Sequence, residues 1–241
     1  MHDHIVSAFD IELKEVGRKV VEMGGQAERL VIDSVSALIR RDTALAQRVI
    51  LLDATVDQIH REIEEKSILV IAKRQPVASD LRELVAAIRI ASDLERIGDL
   101  AKNVGKRVLA IEGEYHPQKL VRGVEHMSEL VLEQLKMVLD AYAGKDPAKA
   151  IDVWRQDSGV DTMYTSLFRE LLTYMMEDPR NISVCTHLLF CAKNIERIGD
   201  HATNIAETVF YMVEGQIISD ERPKADASSE TSVAFPGAAQ G

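Results

Sequence analysis

Apolar residues recur at three- and four-residue steps along nearly all of the 241-residue chain, which is the period of amphipathic helices. The stripes break where glycine, proline or short polar clusters intervene, and the breaks predict six helices. The first runs from about Asp10 to Arg41. Thr43 caps the second, which reaches about Arg74. Gln75-Pro76 then stops it, because the residue ahead of a proline is forced toward an extended conformation. The third helix spans about Val77 to Ile111, and residues 113–117 make a linker. The fourth spans about Gln118 to Ala143, with Gly144 as a natural C-terminal cap. Asp146-Pro147 opens the fifth, with proline at the first helical position, and it ends near Glu177. The sixth runs from about Asn181 to Ile218. From Ser219 the chain turns to Ser, Ala, Pro, Gly and charge with little to bury, so a disordered tail is expected.

Helices of about thirty residues are roughly 45 Å long, and tight connections force neighbours to run antiparallel. Each half therefore predicts an up-down-up bundle. The expected fold is all-α: two tandem, pseudo-symmetric three-helix bundles over residues 1–112 and 113–218, elongated, followed by the tail at 219–241.

The two halves share a vocabulary. Leu94-Glu95-Arg96-Ile97-Gly98-Asp99-Leu100-Ala101-Lys102-Asn103 returns as Ile195-Glu196-Arg197-Ile198-Gly199-Asp200-His201-Ala202-Thr203-Asn204, with seven of ten positions identical. Asp53-Ala54-Thr55-Val56-Asp57 returns as Asp157-Ser158-Gly159-Val160-Asp161. Met23 aligns with Met127 and Asp42 with Asp146. The offset is 104 residues for these and 101 for the Glu-Arg-Ile-Gly-Asp word, so the second hairpin is shorter by about one turn. A period this long belongs to duplicated domains or half-domains, not to a solenoid. Gly98 and Gly199 stand mid-helix at a cost of about 1 kcal/mol each, which suggests close helix approach or a local bend.

Within each half, acids repeat at four-residue steps and so share a helix face. Asp57 lies about 18 residues before the Gln75-Pro76 turn, and Glu95 about 19 after it. On antiparallel neighbours those positions fall at one height. The same count around Asp178-Pro179 gives about 17 on each side. Two matching quartets follow: Asp53, Asp57, Glu95 and Asp99, then Asp157, Asp161, Glu196 and Asp200. Crowded carboxylates repel, and a divalent or trivalent cation offsets that; oxygen-only donors suit Mg, Mn, Ca, Fe or Zn. The alternative is a wet face on which the acids pair with Arg96, Arg197, Lys102 or Lys106.

Composition narrows the function. The formal charge of −10 argues against a nucleic-acid binder, which would show a clustered basic face. Cys185 and Cys191 lie in a helical stretch without C-x-x-C spacing and read as reduced core thiols. The N-terminus is charged at once, with no apolar leader, and no uncharged run is long enough to span a bilayer; a cytoplasmic protein is expected. His2 and His4 read as a polar terminus, and His60 and His126 have no matched partner in the other half. His201 follows Asp200, but its counterpart is Leu100, so it reads as a local difference. No Glu-x-x-His pair, phosphate-cradling Gly-rich loop or Ser-His-Asp arrangement appears. No catalytic residue is assigned. The rival reading is a carboxylate-bridged metalloenzyme, a hydrolase or oxidase, which would need an open coordination position and a base beside the metal.

With these strings assembled, the chain resembles the PhoU family, the phosphate-transport accessory regulators of bacteria. The likeness covers about Phe9 to Ile218. It rests on Phe9-x-x-Glu12-Leu13, Met23-Gly24-Gly25, Asp53-x-x-x-Asp57, Arg74-Gln75-Pro76-Val77-Ala78-Ser79-Asp80-Leu81-Arg82 and Ala91-Ser92-Asp93-Leu94-Glu95-Arg96-Ile97-Gly98-Asp99. The second half carries Glu196-Arg197-Ile198-Gly199-Asp200 but has Asp178-Pro179 in place of the Gln-Pro-Val turn. The resemblance implies two three-helix bundles in pseudo-two-fold relation and no catalysis. It implies metal ions, Fe, Zn, Mn or Mg, at Asp53, Asp57, Glu95 and Asp99 and at Asp157, Asp161, Glu196 and Asp200, with Asn103 and Asn204 flanking. It further implies negative regulation of phosphate uptake and of the phosphate-starvation response. The partners it implies are the nucleotide-binding subunit of the phosphate ABC transporter and a phosphate-sensing histidine kinase. A homodimer and peripheral membrane association are expected.

Overall fold

The computed structural model describes residues 2–114, with side chains from Phe9 onward, and residues 118–220, 222 and 224–228. Part of the expected linker (115–117), the side chains of His2 and His4, and residues 229–241 of the tail lie outside the described residues. Seven α-helices are present among the described residues: α1 His2–Arg40, α2 Thr43–Arg74, α3 Ala78–Ala110, α4 Gln118–Gly144, α5 Pro147–Arg155, α6 Asp157–Glu177 and α7 Ile182–Glu214. A 3-10 turn, Pro179–Asn181, joins α6 to α7. The architecture is all-α, with α1–α3 forming one bundle and α4–α7 the other.

The duplication is visible in the turns. Arg41 and Lys145, which are equivalent, both take left-handed φ values of 57° and 48°. After each, the next amide closes a helix-ending turn: Asp42 donates to Ala37 O at 3.0 Å and Asp146 to Ala141 O at 2.9 Å. The residue that reverses the chain is therefore Lys145, and Gly144 is still helical. Asp42 and Asp146 then cap the next helix, accepting from Leu45 N at 2.8 Å and Lys149 N at 3.0 Å. The cap is Asp42 and not Thr43, because the carboxylate sits one residue earlier, where it reaches the free N–H groups. Gln75 ends α2 before Pro76, but in the left-handed region (φ 49°, ψ 54°) and not in the extended conformation expected ahead of a proline, because its amide closes the helix on Ile71 O. Gly215, with φ 73°, ends α7 at Glu214, four residues before the expected Ile218.

The expected fifth helix is two helices. At Gln156 the ladder tightens to three-residue steps, Gln156 N to Val153 O at 3.0 Å and Gly159 N to Gln156 O at 3.1 Å. Gln134 of α4 donates its amide to Gln156 O at 3.1 Å. A side chain that takes a helical carbonyl interrupts the ladder, and Ser158-Gly159 lowers the cost of the break. In the first half the aligned residues are Leu30 and Leu52, which cannot do this, and α2 runs unbroken.

The bundles pack side by side, α3 against α7 and α1 against α4, rather than end to end. Along α3 and α7 the contacts pair in antiparallel register. Arg89 stacks on Tyr211 at 5.9 Å, Asp93 meets His201 at 2.8 Å, and Arg107 stacks on Phe190 at 4.2 Å. Arg107 lies nine residues after Gly98 and Phe190 nine before Gly199, as expected when equivalent helices meet across a pseudo-two-fold axis. One continuous apolar core, including Met23, Ile90, Leu94, Ile97, Met127, Leu135, Ile195 and Ile198, runs through both bundles. Burying each such side chain contributes about 1.5–3 kcal/mol. Cys185 and Cys191 are free and buried on α7, and burial pushes the Cys191 thiol up to about 12. Among the described residues no helix is long and apolar enough to cross a membrane.

Candidate carboxylate sites

α3 packs closely on α2 at Gly98, where a Cβ would stand 3.1 Å from Asp53 Oδ1 and 3.4 Å from Val56. Close helix approach is thus what this glycine provides, and it brings the two acidic stripes together. Lys102, one turn beyond Asp99, places its ammonium between Asp53 and Asp99 and bonds both. Asp53 is buried on α2 while Asp57, Glu95 and Asp99 are half-buried. Burial raises the Asp53 carboxyl above its ordinary value, and Asp57 and Asp99 push the same way against the opposing pull of Lys102. Glu95 is raised by burial, then by Asp99, with Asp57 adding to it. Burial alone would lower the Lys102 ammonium, but its bonds to both aspartates prevail and raise it. Arg96 flanks the group, 3.5 Å from Glu95 and 3.6 Å from Asp99.

In the second half α6 and α7 repeat this face-to-face arrangement, but Asp157, Asp161 and Glu196 are all buried. The residue aligned with Lys102 is Thr203, whose hydroxyl donates to Asp157 at 3.0 Å. At Asp157 and Asp200 the positive charge comes instead from beyond the last helix. The Arg222 guanidinium donates to Asp157 at 2.8 and 2.9 Å and to Asp200 Oδ1 at 2.8 Å. It also reaches Asn204 Oδ1 at 3.2 Å. Lys224 bonds Asp200 at 2.5 Å, and Ala225 N donates to Asp161 at 2.9 Å. Lys193 holds Glu196 at 2.9 Å and Asp226 at 3.3 Å. Glu196 is raised by burial first, with Asp200 and Asp161 adding to it against Lys193.

Each half thus gathers its four expected acids. Asn204 joins the second group through Arg222, whereas Asn103 stands half-buried on α3 one turn beyond Asp99. The described tail residues 219–228 contain no α-helix, in keeping with their composition, yet several of them line this site. Their signal in the sequence was faint: charges at alternate positions, Arg222, Lys224 and Asp226. His201 turns away to Asp93 on α3.

As the side chains stand, no three His, Cys, Asp or Glu groups among the described residues converge tightly enough to hold one ion; ammonium and guanidinium groups stand between them. The donor chemistry nonetheless fits a hard cation. Asp53 Oδ1 and Glu196 Oε2, one in each group, are buried oxygens without a hydrogen-bond partner, a condition that costs about 1–3 kcal/mol unless a cation or water satisfies it. A matched general base beside both groups is not found among the described residues, since the histidine near Glu95 is His60 and the only one near Asp200 faces elsewhere.

A family model described as the PhoU domain matches residues 20–108 and 124–209. The chain belongs to the PhoU family. The two matched stretches contain both acidic quartets and fall one in each bundle. A phosphate-specific transport system accessory protein PhoU homolog of Rhizobium meliloti is 62% identical over 228 residues, covering 95% of this chain and 96% of that protein. Its counterpart in Caulobacter vibrioides is 50% identical over 95% of this chain and 100% of the relative. Crystal structures agree: PhoU from Pseudomonas aeruginosa superposes with a TM-score of 0.81 at 42% identity, over 86% of this chain and 100% of that one. The phosphate transport system regulatory protein PhoU from Streptococcus pneumoniae gives 0.80 at 28% identity, over 88% and 99%. These relatives are named as accessory and regulatory proteins, not as enzymes.

Proposed function

We propose that this chain is a cytoplasmic accessory regulator of phosphate transport. It represses phosphate uptake and the phosphate-starvation response by linking the nucleotide-binding subunit of a phosphate ABC transporter to a sensor histidine kinase. The observation that carries the reading is the match, over nearly the whole chain, to accessory proteins of the phosphate-specific transport system. Among the described residues no base is matched in the two acidic groups, which supports an adaptor over a metalloenzyme. A homodimer is part of the same reading.

Within that role the two quartets take divalent or trivalent cations, Fe, Zn, Mn or Mg. Asp53, Asp57, Glu95 and Asp99 would hold one group and Asp157, Asp161, Glu196 and Asp200 the other, flanked by Asn103 and Asn204. Bound cations supply concentrated positive charge that offsets carboxylate repulsion and clamps α2 to α3 and α6 to α7.

Two measurements test this. In cells lacking the chain, a phosphate-starvation reporter should be on in phosphate-rich medium, and the native chain should silence it; a reporter that stays off without the chain overturns the regulatory reading. Native protein purified without chelators should carry metal by elemental analysis, and D99A/D200A should carry little. Equal metal content in the two contradicts the cation sites.

A further inference from the structure

We propose that Arg222 and residues 224–228 act as an intramolecular strap, a cationic segment seated on the acidic groove between α6 and α7. An outside cation meets the second quartet only when the strap leaves. The segment bonds three members of that quartet and reaches the fourth, Glu196, through Lys193. Arg222 bridges Asp157 and Asp200, and Lys224 adds a second bond to Asp200. The Ala225 amide bonds Asp161, and Asp226 shares Lys193 with Glu196. One step further, Ala227 N donates to Thr165 Oγ1 at 3.2 Å. Arg222, Lys224 and Asp226 stand at alternate positions of the sequence, and all three bear on the quartet or on its Lys193.

The reason for a strap here lies in the duplication. The first quartet has a resident ammonium, Lys102, in its own helix. The second has Thr203 there, which brings a hydroxyl and no charge. Lys193 of α7 pairs with Glu196, but Asp157 and Asp200 draw their positive charge from the tail, which supplies Arg222 and Lys224. The strap is also built to come off. Its contacts are polar throughout, Lys224 is half exposed, and the connection to α7 passes through the left-handed Gly215 and the exposed Ile217. Polar contacts near a surface weaken with salt. Coupling between two ligands of one site is reciprocal: whatever factor the strap takes from cation affinity, the cation takes from strap docking.

The cation half of this inference rests on the metal reading; the docking half does not, and the test separates them. Trypsin cleaves after Lys224 but not readily between Arg222 and Pro223, so cleavage at Lys224–Ala225 reports strap release. In EDTA at low salt this bond should be cut about tenfold faster in R222A than in native protein. D157N/D200N should match R222A, and R222A leaves both bundles untouched should D157N/D200N fold poorly. Equal rates in native protein and R222A overturn the strap. In a D53N/D99N background, Mn2+ should bind R222A/K224A about tenfold more tightly than the background protein carrying the strap, and should speed cleavage at Lys224 in the latter. Mn2+ that binds both equally and leaves cleavage unchanged overturns the exclusion. If neither binds Mn2+ while R222A still loses protection, the strap stands and the metal reading falls.

Discussion

In the first bundle the positive charge beside the paired aspartates stands on the same helix as Asp99, three residues on, whereas in the second the charge that bridges Asp157 and Asp200 arrives from 22 residues beyond Asp200. The two sites descend from one word, yet they solve the same electrostatic problem differently. Lys102 is held by the helix that holds Asp99, so forming its bonds orders only one side chain. Arg222 must order a stretch of otherwise irregular chain. A second difference follows in burial: beneath the tail three acids are buried, while without such a cover only Asp53 is. Duplicated sites can therefore keep their ligand-like residues and diverge in what holds those residues when no ligand is present.

The comparison can be broken or sharpened in order of expected effect. Lys102→Ala leaves buried Asp53 with no counter-charge and its Oδ1 already unpartnered. We expect a loss of about 2–4 kcal/mol in chelator, read by denaturant unfolding, and partial recovery with Mn2+. Arg222→Ala should cost less, about 1–2 kcal/mol, because the departing tail admits water to Asp157; a loss as large as that of Lys102→Ala would show that the tail is as integral as a helix. Thr203→Lys restores to the second half the residue the first half has. Because Thr203 is fully buried, the substitution should cost about 1 kcal/mol while speeding trypsin cleavage after Lys224, and unchanged protection would mean that the ammonium does not reach the quartet.

The smallest effect concerns the far ends of the hairpins. Arg74, at the end of α2, reaches back to Glu12 of α1 at 2.9 Å, whereas Arg180 folds onto Asp178 in its own turn at 2.7 Å. The Arg74 bond holds the Glu12 carboxyl below its ordinary value of 4.5. A lowered folded pKa means that the pair's stabilisation is complete above the unfolded value and is lost as pH falls through the folded one. Glu12→Gln should therefore cost at most about 1 kcal/mol at neutral pH and nothing at strongly acidic pH. A constant difference across that range would exclude the pair as its cause.

Helix periodicity, the proline break at Gln75-Pro76 and the duplication were all legible from the residues, because each is a local or self-referential signal. So was the meeting of Asp53 with Asp99 and of Asp157 with Asp200, since equal distances from a hairpin turn set the register of antiparallel helices. Other features were not. The break at Gln156 depends on an amide from Gln134, a residue 22 positions away on another helix. The side-by-side arrangement of the bundles depends on α3 meeting α7, for which periodicity carries no partner information.

What this sequence determined by itself is the inventory: where the long helical stretches lie, that they come as two related sets, and that each set presents four acids at one height. Only tertiary packing decided the occupants of the space between those acids. Local patterning specifies faces, but the partner of a charge is chosen by whichever group the folded chain brings within bonding distance. For Asp157 and Asp200 that group was Arg222, in a segment whose composition alone offered nothing to bury.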